Sequence, residues 1–480
     1  LRRRTALIAW AVVVAAVVTL FLVWQYLGYR AARRTLPEGM TLAGVPADGM
    51  TREQALNVLE VNFATPLEVF YEDQQIPLAP ETAGLQYDAP QTAANLDAVL
   101  RERGGFDGFV AHILNRPLGP VEVPVAISYS EERVDAFLAR TAAEYDHPPQ
   151  EAIPLPASLS FRMSQPGYEM DMAASRDRLV RGLVSAVEHQ VRLVVDTEPA
   201  PPSSGNVLGQ MIQILLEDHE GLIAGVFVKD LQTGNEFSLN EAVAYEGPGL
   251  LKVAVMQEVY RALDQPLSPQ ISQWLSDTIG VEDSNEAANL LLQDAIGGGD
   301  GYAGAESVSA AMRYLGLVNT FIAAPYDADA SGLTISTPAN SRTDITTSPE
   351  PEVQTTPLDA GLLLEMIYQC SAGGGPLLVA FPQEITVSEC DEMLRWLSEN
   401  RIDSFVEVGV PAGAQVGHKQ GISADTHSDA AIVFGSERDF VLAVFLYRPT
   451  WLPWEESAPL ISDIATAAYN YFNPTDPVVP

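Results

Sequence analysis

The stretch Glu246-Gly247-Pro248-Gly249-Leu250-Leu251-Lys252 ends a loop and opens a helix whose apolar positions are Val253, Ala254, Val255, Met256 and Val259. Residues three apart on a helix share a face, so position 249 lies in line with the Lys252 side chain. What stands there is a glycine, which brings no functional group. Lysine is scarce here: the chain has only Lys229, Lys252 and Lys419. Lys229 falls at the end of an ordinary strand, which leaves Lys252 and Lys419 as the two lysines to explain.

Two further stretches extend the pattern. Asp283-Ser284-Asn285 precedes Ala287, Ala288, Asn289, Leu290 and Leu291, and His418-Lys419-Gln420-Gly421 lies on an expected strand, with His427 and Asp429 leading into Ala430-Ala431-Ile432-Val433. In this order the three stretches resemble the S-x-x-K, S-D-N and K-T-G motifs of class A β-lactamases and penicillin-binding-protein-like serine hydrolases. The resemblance covers roughly Asn206 to Phe472. In that family a serine attacks a lactam or peptide carbonyl while the lysine takes its proton. Carried over residue by residue, the nucleophile position is Gly249 and no catalytic residue is intact. Asp283 replaces the second motif's serine, and sliding the register to Ser284 would turn a helical side chain by about 100°. Asn285, Lys419 and Gly421 match, while Gln420 replaces a hydroxyl residue. The expectation is that Asp283 pairs with Lys252 in a partly buried cleft, that the Gln420 amide fills the pocket, and that Lys252, Asp283, Asn285, Lys419 and Gly421 form a ligand-binding set. Glu350 and Glu352 precede a family-like helix start, Thr355-Thr356-Pro357, and are expected to face solvent.

Around these motifs the pattern reads as helix (Leu208 to Asp218), two strands (Leu222 to Val228 and Glu236 to Leu239), a helical block, three strands (Gln415 to Gly421, Ala430 to Phe434, Phe440 to Tyr447) and a closing helix. This is an α+β, β-lactamase/transpeptidase-like domain, an antiparallel sheet flanked by helices. Gly299-Asp300-Gly301-Tyr302-Ala303-Gly304 fits a nucleotide-loop spacing but follows a helix rather than a strand, which argues against that role. Trp451 and Trp454 are expected to pack the last loop.

The preceding region opens with Gly44-Val45 and Asp48-Gly49-Met50-Thr51-Arg52-Glu53-Gln54-Ala55, a turn and helix start. Two later segments, Tyr87-Asp88 and Tyr168 to Asp171, each end an extended piece in an acid before an amphipathic helix. The arrangement resembles the YoaR-like peptidoglycan-binding domain found after membrane anchors in bacterial envelope proteins; a stalk with no ligand is the other reading. His112, His147 and His189 are scattered through it and read as packed or solvated. The expected organisation is a transmembrane signal anchor at 1–34, an α+β stalk domain at 35–198, a Pro/Ser linker at 199–205 and the second domain at 206–480.

A net charge of −36 argues strongly against polyanions as ligands, both nucleic acid and anionic lipid headgroups. Most of it lies from Asn206 onward, where 38 acidic residues face 10 basic ones. Ala6 to Trp24 is uncharged and long enough for a bilayer core that needs about 20 helical residues. Arginines flank it evenly (Arg2, Arg3, Arg4; Arg30, Arg33, Arg34), and no small-residue cleavage site follows, so a single-pass anchor with an extracytoplasmic body is expected. Cys370 and Cys390 flank a Gly-rich turn and would form a disulfide in that compartment. No metal or cofactor is expected. The reading is a cell-envelope protein acting at peptidoglycan as a non-catalytic binding or regulatory pseudoenzyme. Its alternatives are a hydrolase using another nucleophile, with Ser423, Thr426 and Tyr245 as nearest candidates, and a structural wall-spanning protein.

Overall fold

The computed structural model describes residues 2–116, 119–201, 206–280, 282–328, 333–401 and 404–479, with side chains from Ile8 onward. It divides into two compact units, one of residues 1–150 and 165–201, the other of 151–164 and 202–480. The segment Glu151–Ser164, assigned by sequence to the stalk region, thus lies with the second unit. Residues 202–205 of the expected linker are outside the described residues.

In the first unit the helix Arg52–Ala64 begins with a reciprocal cap, the Thr51 hydroxyl accepting from Gln54 N and the Gln54 side chain accepting from Thr51 N. Both acid-terminated segments do the same work: Asp88 caps Ala89–Arg103 and Asp171 caps Met172–Val184. A three-stranded sheet places Leu67–Tyr71 between Gln190–Arg192 and Gln74–Leu78. Leu67, Val69 and Tyr71 alternate inward onto Phe137, Leu138, Leu179 and Leu183. The helix Arg2–Ala32 carries a 25-residue span, Ile8–Ala32, long and apolar enough to cross a membrane.

The second unit is built on five antiparallel strands, β1 (Ile223–Asp230), β2 (Glu236–Leu239), β3 (Gln415–Ile422), β4 (Thr426–Phe434) and β5 (Phe440–Tyr447), in the order β2-β1-β5-β4-β3. Every residue of β5 is buried because both faces of the sheet are covered. Phe227, Val441, Ala443 and Phe445 pack onto the helical block, while Val226, Leu442, Val444 and Leu446 pack onto the helices Asn206–Leu216 and Trp454–Phe472. That two-sided burial turns β5 into the continuous apolar run Phe-Val-Leu-Ala-Val-Phe-Leu-Tyr. The hairpin Ile153–Leu155/Ser160–Arg162 closes on the same terminal helices: Asn470 donates to Leu159 O at 2.9 Å, and the Phe161 ring meets Tyr471 edge-on at 5.4 Å.

In the helical block, Thr356 caps the helix Pro357–Ser371 with Pro357 at its first position. Cys370 is disulfide-bonded to Cys390 on the helix Val387–Glu399. Gly304 sits where its helix presses on the Leu292 backbone, leaving no room for a Cβ. This glycine serves helix packing, not a phosphate loop.

Candidate functional site

The helix Lys252–Ala262 follows a turn in which Leu251 N bonds Gly247 O and Lys252 N bonds Gly249 O. Its first nine residues, Lys252 to Tyr260, are buried, which places Lys252 deep in the unit at 1% exposure. The ammonium is met by Asp283, whose backbone carbonyl accepts at 2.5 Å and whose Oδ1 accepts at 2.8 Å. Asp283 presents both acceptors because its φ of +46° turns the backbone back toward the lysine. On the other side, Lys419 of β3 donates to the same Oδ1 at 2.7 Å and has no solvent exposure. Two buried lysines therefore share one carboxylate oxygen, and the Asp283 side chain is 30% exposed.

The electrostatics follow from this count. Burial holds both lysines below the ordinary ammonium range; Asp283 opposes the shift in each case, and the proximity of Lys252 lowers Lys419 further. The Tyr326 ring, centred 5.5 Å from the Lys252 nitrogen, faces the ammonium. Tyr326 is held there by Asn289, whose amide donates to Tyr326 O and accepts from Tyr326 N, both at 2.8 Å. One turn earlier Asn285 donates to Asp327 Oδ2 at 2.9 Å. Asn285 and Asn289 thus hang the segment 326–327 over the lysine from one helix face.

Gly249 faces this cluster. A Cβ built on it would lie 2.5 Å from Gln420 O, 3.1 Å from Asp283 Oδ2 and 3.2 Å from Gly421 Cα. The space next to the backbone at 249 is taken by strand β3 and by the aspartate. A Cβ on Gly421 would in turn meet Ser428 Oγ at 2.7 Å and Leu250 N at 3.5 Å, so strand and turn are in mutual contact at both glycines.

The expectation for Gln420 is corrected. In a strand, neighbours point to opposite faces. Lys419 pairs with Ala430 on the helical-block side, and Gln420 pairs with Asp429 on the other. Gln420 is buried there, accepting from Asn400 at 2.8 Å, and its side chain lies away from the lysine–aspartate cluster. His418, on that same side, contacts Asp429 at 3.1 Å, while Asp429 also accepts from Val406 N at 3.2 Å. His427 bonds the Ser457 hydroxyl at 2.5 Å and lies against Trp454, whose ring meets Phe405 at 4.8 Å with a 38° tilt. Trp454 packs the last loop through these ring contacts although it is 41% exposed; Trp451 is 63% exposed.

The other nucleophile candidates are engaged elsewhere. Ser423 and Thr426 both bond Asp425 within the β3–β4 turn. Tyr245 is fully buried against Phe445, and burial pushes its phenol well above the usual range. Glu350 is exposed, as expected, whereas Glu352 is half-buried rather than solvent-facing. Sequence reasoning missed Glu246, which is 7% exposed, leaves Oε1 without a hydrogen-bond partner, and is pushed up to about 7 by burial, with Asp425 and Glu350 adding to the shift. It also missed Tyr326, for which no local sequence signal exists, and the Asn289 clamp, which the four-residue spacing from Asn285 could have revealed.

Comparison with known proteins bears on the same regions. Residues 265–472 match the "Beta-lactamase enzyme family", a span that starts after Lys252 and includes Asp283, Asn285, Lys419 and Gly421. Residues 76–192 match the "Putative peptidoglycan binding domain". No curated protein matches the sequence. Among solved structures, the chain is similar to PBP-A (19% identity, 55% of this chain and 95% of that one, TM-score 0.43). It is also similar to an ancestral class A β-lactamase designated GNCA (20%, 55% and 100%, 0.43) and to a β-lactamase from Sphaerobacter thermophilus (18%, 57% and 100%, 0.43). The chain thus carries a domain matching the β-lactamase enzyme family over 265–472, preceded by a region matching a peptidoglycan-binding family over 76–192, the pairing of a cell-wall related protein.

Proposed function

We propose that the protein is a membrane-anchored, extracytoplasmic pseudoenzyme that binds peptidoglycan or a peptide derived from it without acylating it. The observation that carries this reading is the closed space at Gly249. The residue supplies no attacking oxygen, and the volume a side chain would need is bounded by Gln420 O and Asp283 Oδ2. Losing a nucleophile removes on the order of six decades of rate in serine hydrolases. Lys252 and Lys419 are bridged by Asp283, with Asp327 also acting on Lys252, so an anionic group such as a peptide carboxylate would enter as a competitor for these ammoniums. The engagement of Ser423, Thr426 and Tyr245 in turn and core contacts weighs against hydrolysis through another nucleophile. The apolar span Ile8–Ala32, followed by the peptidoglycan-binding match, supports the anchor and the compartment.

The test is incubation of the full chain in detergent with soluble muropeptides, with binding followed by calorimetry and products by mass spectrometry. Saturable binding with unchanged muropeptides is expected; release of a shortened stem peptide would overturn the reading.

A further inference from the structure

The helix Phe106–Ile113 in the first unit presents an apolar face to solvent. Phe106, Val110, Ile113 and Leu114 recur at the spacing that puts side chains on one side of a helix. Phe106 is 79% exposed and Leu114 56%, large values for apolar residues so close together. The other side of this helix is fixed to the end of the long apolar helix Arg2–Ala32. The Phe109 ring lies 5.8 Å from Tyr26 and 5.6 Å from Tyr29, and the His112 ring lies 5.5 Å from Tyr29. Gly108 makes the approach possible, since a Cβ there would stand 2.5 Å from the Tyr29 hydroxyl. Arg33 ties the turn before it, donating to Gly104 O at 3.4 Å.

We propose that Phe106–Ile113 is an interfacial helix that seats Phe106 and Leu114 in the headgroup–acyl boundary of the leaflet from which the anchor emerges. The proposal rests on the anchor reading above. Its occupant, a lipid surface, follows from position and charge. Tyr26 and Tyr29 close the apolar span, where aromatic residues mark the membrane–water boundary. A helix packed on those two rings lies at the same depth and parallel placement there buries its apolar side. The chain as a whole is strongly acidic, yet residues 30–34 and 101–116 contain six arginines (Arg30, Arg33, Arg34, Arg101, Arg103, Arg116) against two acids, Glu102 and Asp107. That local balance suits anionic headgroups, which the rest of the surface would repel.

Both native cysteines are disulfide-bonded, so an introduced cysteine can be labelled singly. The full chain is placed in nanodiscs of phosphatidylcholine and phosphatidylglycerol, with an environment-sensitive dye at Phe106→Cys, Leu114→Cys, Trp24→Cys or Glu122→Cys. The first two side chains are exposed, so the substitutions leave the core intact. Blue-shifted emission and quenching by spin-labelled lipid are expected at 24, 106 and 114 and absent at 122. Quenching at 24 with 106 and 114 behaving like 122 would overturn the proposal while leaving the anchor in place. No quenching at 24 would overturn the anchor reading and the proposal with it.

Discussion

Replacing Asp283 by Asn removes the one charge that Lys252 and Lys419 share while keeping the side chain's shape. Asn also tolerates the positive φ at this position, so the backbone cost is small. Breaking a buried ion pair by removing one partner costs about 3–5 kcal/mol. Here the aspartate is 30% exposed and Asn retains an acceptor, so the lower end applies, about 3 kcal/mol. In a unit of nearly 300 residues that is a fall of about 5 °C in Tm. Thermal and urea unfolding at pH 7 measure it. The pH dependence makes the test specific. Both lysines have folded pKa values below their unfolded value of 10.5, so the unfolded state binds more protons between the two, and these groups raise stability as pH rises through that window. Without Asp283 the folded values drop further and the window widens downward. The Asp283→Asn variant is therefore expected to approach the wild type as the pH is raised from 7 toward 10. Adding Lys252→Met to Asp283→Asn is expected to recover part of the loss at pH 7. A single variant within about 0.5 kcal/mol of wild type at pH 7, a change typical of neutral surface substitutions, would refute the shared-carboxylate account.

Gly249→Ser is expected to lower stability by about 1–3 kcal/mol through overpacking against Gln420 O and to remain unacylated; a stable, acylated variant would mean that the strand yields readily. Glu246 has a folded pKa of about 7, above the ordinary 4.5, so it keeps its proton in the folded state after the unfolded chain has lost it. Stability from this group is present below pH 4.5 and falls as the pH rises to about 7; Glu246→Gln is expected to flatten that slope and add on the order of 2–3 kcal/mol at pH 7.5, measured by urea unfolding. Reducing Cys370–Cys390, which closes a loop of 20 residues, is expected to cost about 3 kcal/mol in the same assay. Phe161→Ala strips an aromatic contact from the hairpin on the terminal helices, and a fragment beginning at 206 is expected to show the larger loss of Tm because it lacks the whole hairpin.

Much of this architecture was legible because local and long-range signals agree. The run Phe440 to Tyr447 read as a strand, and its unbroken apolar character fits the burial of both faces, while the acids at 88 and 171 mark helix starts because a carboxylate satisfies the first free backbone N–H groups. The meeting of Lys252, Asp283 and Lys419 was legible through the order and spacing of their three motifs. The orientation of Gln420 was misread although strand alternation dictates it: with Lys419 facing Asp283, its neighbour faces away. Other features leave no local trace. Tyr326 reaches Lys252 from a loop, Glu246 is buried by segments far along the chain, and the hairpin at 151–164 joins the second unit through contacts with residues about 310 positions away.

The acylation chemistry itself is tested by the intact mass of the wild-type chain after prolonged incubation with a penicillin, run beside an active class A β-lactamase trapped with the same compound. An unchanged mass is expected, since Gly249 has no oxygen to acylate and Lys252 is held by Asp283. A gain equal to the penicillin, mapped by peptide sequencing to any residue of the chain, would contradict the pseudoenzyme reading.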